Sequence, residues 1–256
     1  SASGERSIAI GDQASATSTG STATGAGSSA TGNGSSAYGV GAISSGTNSL
    51  AVGGGSSATD FNTIAIGTDP NGDGTGASAS DAQAIALGGD AQATGAGSIA
   101  IGGDAALDGA GSVSSGIASV AVGADSQASA DAATALGRDA NAGFARSTAV
   151  GTGATTTRED QVALGGAGSS VTVGDITAST AAQTGTLSFA TVDASGTLGA
   201  GPTVDSVVDG IAANAMDIAT NTTAIIDGFN RITGVEGRGT TNEGAIATNT
   251  AAIVDG

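Results

Sequence analysis

The chain repeats itself in multiples of seven residues, and that regularity constrains its fold more than any other feature. A five-residue phrase recurs as Ser7-Ile8-Ala9-Ile10-Gly11, Ser49-Leu50-Ala51-Val52-Gly53, Thr63-Ile64-Ala65-Ile66-Gly67 and Ser98-Ile99-Ala100-Ile101-Gly102. Later copies are Ser119-Val120-Ala121-Val122-Gly123, Ser147-Thr148-Ala149-Val150-Gly151 and Gln161-Val162-Ala163-Leu164-Gly165. Anchored on the closing glycine, the phrase falls at Gly11, Gly25, Gly39, Gly53, Gly67, Gly88, Gly102, Gly123, Gly137, Gly151 and Gly165. Eight of the ten intervals are 14 residues and two are 21, and the residue two before each anchor is always alanine. A flexible Gly/Ala/Ser linker has no reason to hold phase over 154 residues.

Within each phrase the period is two, not the three-and-four spacing of a helix: Ile-Ala-Ile, Leu-Ala-Val, Val-Ala-Val. The flanking apolar residues share one face of a short strand and the alanine takes the other. Weaker half-repeats such as Ala30-Thr31-Gly32, Ala93-Thr94-Gly95 and Ser115-Gly116 supply a second strand per 14 residues. The spacing predicts a solenoid coil of two short strands with glycine at the corners. Ten such coils stacked at about 4.8 Å make a roll on the order of 50 Å long. The invariant alanine fits only where packing is very close, so the flanking Ile, Val and Leu face something else. Several identical rolls packed about a common axis would cover them.

Composition sharpens this expectation. Ile, Val, Leu and Phe total 43 residues, 17% of the chain, and the net charge is −17. An apolar share below roughly 20% with high charge would by itself indicate disorder. Phase and self-association together resolve the shortage. The chain has no Cys, His, Lys or Trp, which removes disulfides, thiol nucleophiles, imidazole bases and zinc sites, so no enzymatic activity is expected. Positive charge comes from Arg6, Arg138, Arg146, Arg158, Arg231 and Arg238, too scattered to neutralise nucleic acid or an anionic membrane. No run of 18 apolar residues predicts direct membrane insertion, and the opening Ser1-Ala2-Ser3-Gly4 reads as the start of an excised piece of a longer protein.

The first 21-residue interval contains Asp69-Pro70-Asn71-Gly72-Asp73-Gly74. Asp69, Asn71 and Asp73 match the opening of a calcium loop, although its twelfth position is Ser80 rather than Glu; a solvated turn is the alternative. After the roll, residues 166–203 lose the period but keep alternation at Val171-Thr172-Val173 and Leu187-Ser188-Phe189, with a turn at Asp193-Ala194-Ser195-Gly196. Pro202 stands ready to start a helix.

From Val204 the period becomes a heptad. Val204, Ile211, Ile218, Ile225, Ile232, Ile246 and Ile253 share one position, interrupted by Gly239, and Val207, Asn214, Asn221, Gly228, Val235, Asn242 and Asn249 follow three residues later. This reads as a coiled coil with Ile at a and Asn at d, loosened where five glycines fall between 228 and 244. Buried Asn needs a partner. Either three amides converge on a bound anion, or the asparagines fix register and oligomer state. The chain thus divides into a roll (1–165), a connector (166–203) and a stalk (204–256).

Roll, connector and Asn-bearing heptads in one chain resemble the YadA-like trimeric autotransporter adhesins of Gram-negative bacteria. The phrase Asn48 to Gly53 matches the family's head repeat, and Ile218-Ala219-Thr220-Asn221-Thr222 and Ile246-Ala247-Thr248-Asn249-Thr250 are similar to its stalk layers. The resemblance implies an all-β left-handed parallel β-roll head, a neck, and a parallel three-stranded α-helical coiled coil. It also implies a homotrimer with chloride held in the core by Asn221 and Asn249; Asn214 and Asn242 lack the following Thr. The implied role is attachment to host matrix protein, cells or abiotic surfaces, including biofilm growth and virulence. Display would be at the cell surface, through a C-terminal outer-membrane barrel beyond this segment. A passive spacer, or an ice-binding solenoid using Thr17, Thr19, Thr22 and Thr24, are the competing readings.

Overall fold

The computed structural model describes residues 1–107, 111–172 and 183–254. The chain divides into two units, Ser1–Thr172 and Val173–Gly256.

The first unit is a two-sheet parallel β-roll. Eleven strands, from β1 (Ile8–Ile10) to β20 (Val162–Leu164), form the long sheet, and nine two-residue strands, from β2 (Ser15–Ala16) to β18 (Asn141–Ala142), form the facing one. Chain order alternates between the sheets, so each 14-residue repeat completes one coil. Pairing is in register with the sequence period: Ala9 lies beside Ala23, Ala51 beside Ala65 and Ala121 beside Ala135. The 21-residue intervals keep the same register, placing Ala65 beside Ala86 and Ala100 beside Ala121. Their extra residues leave the ladder at a corner and return to it.

The interior of the roll is made of alanine and hydroxyl side chains. Ala23, Ala37, Ala51, Ala65, Ala86 and Ala100 from the long sheet meet Ala16, Ala30, Ala58, Ala79 and Ala93 from the short one, all inaccessible to solvent. Past the first coil, the residue opening each phrase is also buried where it is Ser or Thr, as at Ser21, Ser49, Thr63, Ser98 and Ser119. In several coils this hydroxyl donates back across the preceding turn, as Ser49 Oγ to Gly46 O at 2.7 Å and Thr63 Oγ1 to Asp60 O at 2.7 Å. A small polar side chain is thereby satisfied without water. At two coils serine replaces the short-sheet alanine, and Ser44 and Ser114 bond to Ser49 and Ser119 at 2.6 Å each.

Most anchor glycines are required twice over. Gly39 has φ of 136°, and a Cβ there would lie 2.5 Å from the carbonyl oxygen of Gly53 one coil on. The neighbouring corner asks only for a left-handed backbone, which Asn48 and Asn62 adopt at φ of 56°.

The second unit opens with an antiparallel hairpin of β21 (Ser188–Val192) and β22 (Leu198–Thr203), followed by helix α1 (Val204–Val254). The Asp193 carboxylate closes the hairpin turn by accepting from the backbone N–H of Ser195 and Thr197. Two expectations need correction. Val171 and Thr172 belong to no strand, because the ladder has ended at Leu164 and no further coil lies beside them among the described residues; Val173 lies outside the described residues. Pro202 sits in β22, and Thr203 caps the helix instead, its Oγ1 accepting from Ser206 N at 3.1 Å. The helix also continues through Gly228, Gly234, Gly237, Gly239 and Gly244. Glycine lowers helix propensity but retains both backbone hydrogen-bonding groups, so it does not break the ladder as proline would.

Candidate functional site

With the interior closed by methyls and hydroxyls, the chemistry the roll offers lies on its outward faces, and the two differ. On the long sheet, pairing stacks Val52, Ile66, Leu87, Ile101, Val122, Leu136, Val150 and Leu164 into one file. A parallel file runs Leu50, Ile64, Ile85, Ile99 and Val120 before turning to Thr134 and Thr148. These side chains are half-buried to exposed in one chain, Leu136 at 47% and Leu164 at 54%. The short sheet presents Ser15, Ser29, Ile43, Ser57, Ser78, Gln92, Val113, Gln127 and Asn141 in the corresponding outward file. One face is therefore an apolar stripe and the other a mostly polar surface, interrupted by Ile43 and Val113. The stripe weakens near the first coils, where Thr22, Thr24, Ser36 and Tyr38 occupy its positions.

The threonines singled out in the sequence do not share a face. Thr22 and Thr24 lie outward on the long sheet, while Thr17 follows a strand of the short sheet and Thr19 sits in a turn.

Along α1 every described residue is at least partly accessible. Ile211, Ile218, Ile225, Ile232 and Ile246 are 56–66% exposed. Asn214, Asn221, Asn242 and Asn249 are exposed as well; a seven-residue step on a helix is about 10 Å, so no two of them meet within one chain. Several helices must come together before these amides can share a ligand.

The loop carrying Asp69, Asn71 and Asp73 is closed by its own hydrogen bonds. Asp69 accepts from Gly72 N at 2.6 Å and Gly74 N at 2.7 Å, and Asn71 accepts from Asp73 N at 2.9 Å. Asp73 accepts from both the backbone and hydroxyl of Thr75, which holds its carboxyl below the usual range. Ser80, the twelfth position, has already returned to the roll, its N–H bonded to Ala93 O. Among the described residues no three acidic groups stand together as a metal ligand set.

Asp90, which sequence reasoning overlooked, is the unusual carboxylate. It is 2% exposed, and neither carboxylate oxygen has a hydrogen-bond partner. Burial, then the charges of Asp73, Asp69 and Asp104, push its carboxyl up to about 6. The available signal was its place, two residues past Gly88, between the two long intervals. At the far end of the roll Arg146 spans to the next coil, reaching Asp160 at 2.6 Å and Glu159 at 2.9 Å, and the Arg146 hydrogen bonds lower the Asp160 carboxyl.

A parallel roll of 14-residue coils, apolar on one face and joined in sequence to a heptad-striped helix, has the architecture of a surface adhesin head and its stalk. The family comparison agrees. Residues 2–28, 44–69, 74–91, 79–105, 114–140 and 128–154 match the YadA head domain repeat, and the roll is a YadA-like adhesin head. Among solved structures, the collagen-binding domain of the Yersinia adhesin YadA is 21% identical, with 81% of this chain and 98% of that chain covered and a TM-score of 0.44. No curated protein matches. Among the described residues no helix is long and apolar enough to cross a membrane.

Proposed function

We propose that the chain is the head, neck and upper stalk of a homotrimer that attaches a Gram-negative cell to matrix proteins, other cells or abiotic surfaces, without catalysis. The observation that carries this reading is the contrast between the two outward faces of the roll. Three apolar stripes packed about one axis remove Val52 to Leu164 from water and leave the Ser/Gln/Asn files outward. At roughly 25 cal/mol per Å2 of apolar surface, that burial is the largest stabilising contribution open to a roll whose own interior holds only methyls and hydroxyls. In a three-helix coiled coil of α1, Asn221 and Asn249 meet their counterparts on the axis and hold a chloride-type anion. Adhesion follows from display: three copies of each shallow contact raise avidity where single contacts are weak.

A matrix ligand such as collagen is the first candidate, because the similar Yersinia domain is described as collagen-binding. Anchoring falls to an outer-membrane barrel outside this segment. Two measurements test the reading. Light scattering at micromolar concentration is expected to give three chains per particle, and a folded monomer refutes the assembly. Binding of the purified trimer to a panel of matrix proteins, glycans and mineral surfaces is expected to find a ligand that resists competition by an unrelated acidic protein. Uniform failure across the panel, with deletion of the head leaving cell attachment intact, assigns the segment to a spacer.

A further inference from the structure

The charges of α1 are not spread evenly over its heptads. With Ile211, Ile218, Ile225 and Ile232 at position a, Asp205, Asp209 and Asp227 fall at b, f and c, away from the seam. Arg231 and Arg238 fall at g, and Glu236 and Glu243 at e, the two positions that flank the a/d seam. Asp217 is the one other charge at either position, and the e residue five further on is Thr222. Each arginine instead has a glutamate five residues on, Arg231 with Glu236 and Arg238 with Glu243.

Five residues is the wrong spacing for a pair within one helix. Helix neighbours stand three or four apart, and a fifth residue has turned about 140° from the first. Among the described residues none of these four side chains forms an ion pair within the chain, and all four are exposed. The spacing suits a parallel seam, where position g of one helix faces position e of the next heptad on its neighbour. This stretch is also where the seam is poorest. Gly228 and Gly239 occupy one d and one a position, and a Cβ at either would meet nothing within 4 Å. A hollow of about 830 Å3 opens here, lined among others by Arg231, Ile232, Val235, Glu236 and Arg238, at positions g, a, d, e and g. Apolar packing fixes alignment weakly across two empty layers, and the opposite charges stand where that packing fails.

We propose that the face of α1 from Gly228 to Glu243 docks a second copy of this chain, parallel and in register, through Arg231–Glu236 and Arg238–Glu243 pairs between neighbouring helices. The inference rests on the homotrimer proposed above and adds what orients it. Antiparallel helices would set g against g and e against e, arginine to arginine and glutamate to glutamate. A slip of one heptad keeps only one pair of the two and sets Gly239 level with Ile232 or Ile246. In register, a closed ring of three chains forms each pair three times.

The test uses the Arg238–Glu243 pair, since neither residue has a charged neighbour three or four positions away on its own helix. Arg238→Glu, Glu243→Arg and the exchanged double variant are compared with wild type, all as the full chain, by sedimentation across concentration at low and high salt. Each single change sets like charges face to face. It is expected to raise the concentration at which trimers dissociate at least about tenfold at low salt, and less in about 1 M salt, where the charges are screened. The double variant restores opposite charges and is expected to return to within about threefold of wild type. Unchanged assembly in either single variant, or a double variant no better than the weaker single, overturns the ion pairs and leaves the trimer standing. A single variant that assembles more tightly points to antiparallel helices and overturns the orientation. A wild type that stays monomeric refutes the trimer itself, and this inference with it.

Discussion

At the scale of single residues, the roll depends on side chains with almost no bulk. The Ser44–Ser49 pair shows how narrow the tolerance is. Ser44 stands where other coils have alanine, and its hydroxyl is acceptable because Ser49 lies 2.6 Å away. Ser49→Ala removes that partner and leaves the Ser44 oxygen buried alone, at a cost of about 1–3 kcal/mol. The double change Ser44→Ala/Ser49→Ala restores the composition of an ordinary coil and is expected to recover most of that loss. Chemical denaturation of the three proteins measures it, and a double variant no more stable than Ser49→Ala removes the hydroxyl pairing from the account. The alanine of each phrase was legible from sequence because it never varied. The inward role of the serine was not: Ser7, Ser21 and Ser49 read as polar residues at a strand boundary, and only the turn geometry shows the hydroxyl spent on Gly4, Ser18 and Gly46.

At the scale of elements, the coil is held by contacts between successive copies of one position. The anchors form a file in which each glycine leaves room for the carbonyl of the next. Gly39→Ala combines an unfavourable φ of 136° with a Cβ 2.5 Å from Gly53 O. Backbone cannot yield as a flexible side chain would, so the substitution is expected to cost more than about 3 kcal/mol. Gly41→Ala, at φ of 68° and with nothing within 4 Å, is the control and is expected to cost only about 1–2 kcal/mol. Melting curves of the two distinguish them, and equal losses would mean that φ alone matters. Strand, corner and heptad were readable because each recurs. The connector gave less: a hairpin depends on which two strands find each other, so Leu187-Ser188-Phe189 pointed to β21 whereas Val171-Thr172, with identical alternation, pairs with no strand among the described residues. Pro202 misled for a related reason, since its fixed φ suits the end of β22 as well as a helix start.

At the scale of the whole molecule, the proposed trimer answers to what a single chain leaves exposed. Its apolar files lie on a single face of the roll and a single stripe of α1, and 17% Ile, Val, Leu and Phe suffices only if that surface is shared. Replacing a member of each face separates assembly from folding of the coil. Leu87→Gln on the long sheet is expected to weaken trimers, seen as concentration-dependent dissociation in analytical ultracentrifugation. Ser57→Gln on the short sheet, where Gln92 and Gln127 already occur, is expected to leave the distribution unchanged. Reversal of that order would place the subunit contact on the other face. Oligomer number was not legible from residue spacing, because a stripe reports that it wants cover without reporting how many copies supply it.

The separation of inward from outward positions has an evolutionary consequence. Inside, alanine, serine and glycine answer to the coil before and the coil after, and a change there is felt along the stack. Outside, Ser15, Ser57, Gln127 and Asn141 lie in the outward file of the short sheet. A lineage under immune pressure can therefore rewrite the exposed lettering of such a head coil by coil, or lengthen it by whole repeats, while the scaffold beneath stays the same.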